Sequence, residues 1–150
     1  MDAFALLKAD HKTVAGILEQ IDQTTERAEK GREDLFTRLK NELDVHARIE
    51  EEIFYPAIKD EEETHEITLE AYEEHKVVKQ LLAELEAEPK NTEEWKAKFT
   101  VLKENIEHHV EEEEGEMFKN ARKVLSTEES AELGVRLEEA KQKEKAAAAR

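Results

Sequence analysis

Cysteine is absent from the 150 residues, which removes disulfides, thiol nucleophiles, thiolate zinc sites and cysteine-bound iron–sulfur clusters. A metal site in this chain must therefore use nitrogen and oxygen donors. Proline (two) and glycine (four) are scarce, too few punctuation points for a sheet of many short strands. No stretch approaches the roughly 18 apolar residues of a membrane span. The opening Met1-Asp2-Ala3-Phe4-Ala5-Leu6-Leu7-Lys8-Ala9-Asp10 also lacks a basic start and a long apolar run. A soluble, cytosolic protein is the expectation. Positive charge is in deficit, with 23 basic against 39 acidic residues and a net charge of −16. Such a surface repels phosphate backbones and anionic lipid, and no basic patch offsets it, so neither nucleic acid nor membrane is an expected partner.

What is abundant is helix-forming material. Ala, Glu, Lys, Leu and Arg account for 88 residues, while Leu, Ile, Val and Phe number 34, enough for one thin core. Gly31, Pro56, the polar run from Asp60 to Thr64, Pro89 with Asn91-Thr92, and Ser126-Thr127 divide the chain. The predicted helices cover about 2–29, 32–58, 63–87 and 92–122, with a shorter fifth from about 128. Thr92 or Asn91 can cap the fourth and Ser126 or Thr127 the fifth. The stretch from Lys141 to Arg150 carries no apolar stripe and is expected to fray.

Each predicted helix carries an apolar seam at steps of three and four: Phe4, Leu7, Val14, Leu18 and Ile21 in the first; Phe36, Leu39, Leu43 and Ile53 in the second. Ala71, Val78, Leu82 and Leu85 form the third, and Phe99, Leu102, Ile106 and then Met117 or Phe118 the fourth. In every seam a histidine interrupts: His11, His46, His75 and His109. The chain also repeats. A shift of 64 lays Asp10-His11-Lys12 on Glu74-His75-Lys76, and a shift of 63 lays His46, Glu50 and Glu51 on His109, Glu113 and Glu114. Two similar helical hairpins imply an all-α, up-down-up-down four-helix bundle over 1–125, followed by a C-terminal helix and tail over 126–150.

His46 and Glu50, like His109 and Glu113, are four apart and project from one helix face. Folding each hairpin near Gly31 and near Pro89 brings His11 and His75 to the same layer. A lone seam histidine is usually a hydrogen-bonded core residue, and a single His-x-x-x-Glu is usually a surface pair. Four seam histidines with two repeat-related glutamates are harder to explain structurally, because ionised carboxylates buried among aliphatic side chains cost several kcal/mol each unless paired or bound to a cation. A metal-free His–Glu network is the alternative. Imidazole with carboxylate suits iron, manganese or zinc, and carboxylates that can bridge suit a two-metal centre. The remaining candidates read blandly: His108 as surface or supporting residue, His65 as exposed, Tyr55 and Tyr72 as core packing, Trp95 as a plug at the bundle end. Asp10, Glu51, Glu74 and Glu114 can orient histidines from behind.

Asp10-His11-Lys12, His46-Ala47-Arg48-Ile49-Glu50-Glu51-Glu52-Ile53-Phe54-Tyr55-Pro56, Glu74-His75-Lys76 and His109-Val110-Glu111-Glu112-Glu113-Glu114 together resemble the hemerythrin-like domains of the HHE cation-binding family over about residues 1–125. The resemblance implies a bundle holding a non-haem, usually di-iron, centre with an open position for dioxygen or a related small ligand. It implies His11, His46, Glu50, His75, His109 and Glu113 as ligands, with Glu114 a rival to Glu113. Oxygen-carrying hemerythrins have a His-x-x-x-His pair on the third helix, whereas Ala71 and Lys79 flank His75 here. One nitrogen donor fewer favours redox chemistry, oxygen sensing, iron handling or a peroxide or nitric oxide response over stable oxygen carriage. A di-metal oxidase or peroxidase, and an interaction module with a structural metal, are the competing readings.

Overall fold

The computed structural model describes residues 1–148; Ala149 and Arg150, the end of the expected frayed tail, lie outside the described residues. Helix α1 spans Ala3–Asp22 and α2 spans Glu29–Ile49. The second helix runs on through a π-helical turn, Glu50–Phe54, into α3, Tyr55–Ile58. Helices α4 (His65–Ala87) and α5 (Glu93–Glu112) form the second hairpin, and α5 continues through a second π-helical turn, Glu113–Met117, into α6, Phe118–Val124. Helix α7 is Thr127–Ala148. The bundle is up-down-up-down, with α1 beside α2, α4 beside α5, and α7 laid across α1 and α2. No described helix is long and apolar enough to cross a membrane.

Local chemistry explains most boundaries. Asp2 accepts the Ala5 backbone N–H at 2.8 Å and starts α1, and Thr92 accepts that of Trp95 at 3.1 Å and starts α5. Ser126 and Glu129 form a reciprocal capping box at the entrance to α7. The first hairpin turns at residues 23–25, not near Gly31, which lies inside α2. The last inward residue of α1 is Ile21, so nothing apolar holds the helix beyond it. Arg32 supplies what fixes the turn. Its buried guanidinium donates to the Thr24 hydroxyl and carbonyl and to the Lys90 carbonyl, and it lies over the Trp95 ring. One cation thereby joins both hairpin turns at that end of the bundle.

Two apolar clusters fill the interior. One contains Phe4, Leu7, Phe54, Ile58, Met117 and Phe118 and receives Leu133 and Leu137 of α7; the other contains Leu18, Ile21, Phe36, Leu39, Trp95 and Phe99. The polar layer described next lies between them. The final turns of α7 stay helical through Ala148 instead of fraying. They are tied by charge and not by an apolar stripe: Lys141 to Asp10, Glu144 to Arg48, and Lys145 to Glu42.

Candidate metal centre

All six residues expected from the sequence meet in this layer, and all are buried: His11, His46, His75 and His109 with Glu50 and Glu113, both glutamates at most 1% exposed. Each imidazole is held from behind by a carboxylate at Nδ1. Glu114 stands 2.6 Å from His11, Asp10 3.0 Å from His46, Glu51 2.8 Å from His75 and Glu74 2.6 Å from His109. Because an ionised carboxylate only accepts, each ring donates through Nδ1–H, which turns Nε2 toward the bundle axis. The four acids named from sequence as possible supports all take that part. Glu114 is thereby placed behind His11, and Glu113 faces the interior.

Around the axis the donors sort into two groups. Ligand atoms of His11, His46, Glu50 and Glu113 lie within 4.8 Å of one another, as do those of Glu50, His75 and His109. Glu113 reaches both sides, with Oε1 3.1 Å from His11 Nε2 and Oε2 3.2 Å from His109 Nε2. Glu50 Oε1 lies 3.1 Å from His46 Nε2 and 3.3 Å from His75 Nε2. The first group is close without being satisfied: His11 Nε2, His46 Nε2, Glu50 Oε2 and Glu113 Oε1 are buried with no aligned hydrogen-bond partner. Buried polar atoms rarely stay so. Imidazole nitrogens and carboxylate oxygens converging on one point fit divalent cations of the iron, manganese or zinc kind.

Tyr55 corrects its reading as core packing. Its hydroxyl lies 2.5 Å from Glu113 Oε2, 3.2 Å from Glu50 Oε1, 3.3 Å from His75 Nε2 and 3.4 Å from His109 Nε2. The phenol oxygen is thus a further donor facing the second group. The repeat gives the first group no equivalent, since a shift of 63 puts Phe118 there, its ring stacked near His11.

The π-helical turns are what aim these side chains. On a regular helix Tyr55 would sit roughly 140° around from Glu50, at about 100° per residue. In the wider turn the Tyr55 N–H bonds the Glu50 carbonyl five residues back, and glutamate and tyrosine share a face. Pro56 follows the turn and has no N–H to offer the Glu51 carbonyl five residues back. The Tyr72 hydroxyl bonds that carbonyl instead, at 3.2 Å. In the second turn Gly115 lowers the preference for regular helix.

The electrostatics describe a network charged in the absence of metal. Burial works against an imidazolium at His46, but the Glu50 charge and the bond to Asp10 hold its pKa well above the usual value. Burial likewise opposes charge at His109, yet Glu113 and Glu74 raise it to about 10. His75 is raised against burial by Glu50 and Glu51. Burial alone would push Glu113 up, but its neighbours in the cluster, His109 and His11 among them, hold it well below the usual carboxylate range. The Tyr55 phenol is pushed well up by burial and by the charges of Glu113 and Glu50.

On the far side of the four histidines from Tyr55 is a cavity of about 40 Å³, bounded by Val14, Leu43, Val78, Leu82 and Ile106. One water needs roughly 10–15 Å³, so a diatomic molecule fits. His108 and His65 take no part in the buried layer: His108 is exposed and pairs with Glu112 at 3.2 Å, and His65 is exposed and bonds the Lys59 carbonyl.

The sequence model of the hemerythrin HHE cation-binding domain matches residues 2–121. The chain belongs to this family. Its fold agrees with the crystal structure of an HHE cation-binding-domain protein from Mycobacterium kansasii, at a TM-score of 0.87 and 28% identity over 99% of this chain and 90% of that one. An uncharacterized protein of Mycobacterium tuberculosis is 30% identical over 135 residues, 89% of this chain and 81% of its own length. A DNA nickase of Nostoc is 26% identical over 141 residues, and there the chain spans 92% of itself but only 38% of the relative. Membership brings cation binding with it; the buried layer is where this HHE domain concentrates nitrogen and oxygen donors.

Proposed function

We propose that the chain is a non-haem di-iron protein of the HHE family. His11 and His46 hold one ion, His75 and His109 hold the other with Tyr55 beside it, and Glu50 and Glu113 span the two. The observation that carries this reading is the set of buried, unpartnered donor atoms on His11, His46, Glu50 and Glu113. When bound, the ions supply reversible one-electron chemistry and binding positions for a small ligand. The protein's part is to neutralise, orient and enclose. Four carboxylates fix the imidazole tautomers, two bury negative charge between the ions, and the apolar cavity beside the histidines admits dioxygen, peroxide or nitric oxide while excluding larger anions.

The role that follows is redox or oxygen sensing, iron handling, or response to peroxide or nitric oxide. Turnover as a peroxidase or oxidase is the second reading, favoured by the Tyr55 phenol, a side chain capable of proton and electron donation whose hydroxyl lies beside Glu113 and the second histidine pair. The nickase activity of the Nostoc relative does not enter, because a net charge of −16 opposes approach to a phosphate backbone. Metal analysis of protein purified without chelator, with visible spectra after peroxide and after dithionite, tests the proposal. About two irons per chain and a band that follows oxidation state support it. One zinc and a featureless spectrum overturn it, and continuous peroxide consumption selects the enzyme.

A further inference from the structure

The internal repeat makes the two halves of the centre nearly equivalent, and α7 breaks that equivalence at one point. Asp10 and Glu74 are repeat partners, each behind a histidine, His46 and His109 respectively. Glu74 is partly exposed and lies among Glu112 and His108, and no lysine or arginine of the described residues is paired to it. Asp10 is 4% exposed because α7 covers it. Lys141, from the third-last turn of α7, places Nζ 2.5 Å from Asp10 Oδ1, while Asp10 Oδ2 receives His46 Nδ1 at 3.0 Å. The carboxylate is clamped with one oxygen on each partner. The other lysine found behind a histidine, Lys79 on Glu51, is half exposed and comes from α4 itself.

When His46 donates its Nε2 lone pair to a cation its ring is neutral, so the positive charge facing buried Asp10 from the protein is that of Lys141. Without it one Asp10 oxygen loses its partner and the buried carboxylate is free to turn, which loosens the hold on His46. The geometry points to Lys141 as a positioning residue through which α7 retains the metal ion on the His11/His46 side. This inference rests on the two-ion reading of the same site and adds that the ions are held unequally, one sealed by α7 and one not.

The test loads the full chain with iron(II) without oxygen, adds excess ferrous chelator, and follows release. Loading counts ions and judges the two-ion reading separately; the inference is read from K141Q against wild type, whatever that count. K141Q should speed release of one ion by about 10-fold or more, the size of effect seen when the groups supporting a metal ligand are removed. The remaining ion should keep its wild-type rate. K141R should restore slow release. E144Q, which breaks the Arg48 contact of the same helix without touching Asp10, should release as wild type does. Unchanged release in K141Q, equal acceleration of both ions, or the same acceleration in E144Q would overturn the assignment.

Discussion

Stripping metal from this protein should make its stability fall as the solution becomes alkaline, and the size of the fall can be worked from one residue. In the metal-free chain Glu113 and Glu74 hold the His109 imidazolium against burial and raise its pKa to about 10. In the unfolded chain the value is about 6.5. A group raised on folding stabilises fully below its unfolded pKa, and that contribution disappears as pH rises through the folded value. The window therefore runs from about pH 6.5 to about pH 10, and the loss is at most about 5 kcal/mol. In a domain of this size that corresponds to roughly 10–20 °C in melting temperature. His46 and His75, also raised, act in the same direction. The assay is thermal unfolding of chelator-treated protein followed by helical circular dichroism at steps from pH 6.5 to 9.5. H109Q is the control, because the growing net negative charge lowers stability in both proteins. The wild-type slope should exceed that of H109Q, and loaded protein, with its imidazoles neutral, should lack the excess. A metal-free wild type whose melting temperature is flat or rising, or no steeper than H109Q, would refute the reasoning.

Other substitutions probe the same account elsewhere. Y55F removes the hydroxyl that donates to Glu113 Oε2 and should destabilise the metal-free protein by about 1–3 kcal/mol in urea titrations. R32M deletes a buried guanidinium with three hydrogen bonds across both hairpin turns. It should cost about 3 kcal/mol or more by the same assay while leaving metal content per folded chain unchanged. At Gly134 an added Cβ would collide with the Met1 carbonyl oxygen, so G134A should lower the melting temperature by the equivalent of about 1–3 kcal/mol. H46A or H109A should lose metal on purification and H65A should not; equal metal content in all three would contradict the assigned site.

The bundle and its buried layer were legible in the sequence because both obey a regular period. His46 and Glu50, or His109 and Glu113, share a face on an ordinary helix, and the repeat shows that the coincidence occurs twice. Tyr55 was not legible, because its approach depends on a π-helical turn that shifts every later side chain around the axis. Pro56 is the one residue that hints at the slackened ladder. Gly31 does not mark the first turn, because the apolar seam of α1 ends at Ile21 and the chain turns as soon as that seam stops. The end of α7 has no apolar stripe for a sequence pattern to show; Lys141, Glu144 and Lys145 dock by charge to partners more than 90 residues away in the chain.

Anomalous diffraction at the iron edge from crystals of the loaded protein bears most directly on the central claim. Two peaks about 3.5–4 Å apart, the usual spacing of a two-metal site, are predicted between Glu50 and Glu113. One should lie against His11 and His46 and the other against His75 and His109. A single peak, or density at the exposed Glu74, His108 and Glu112 group with none in the buried layer, would contradict it.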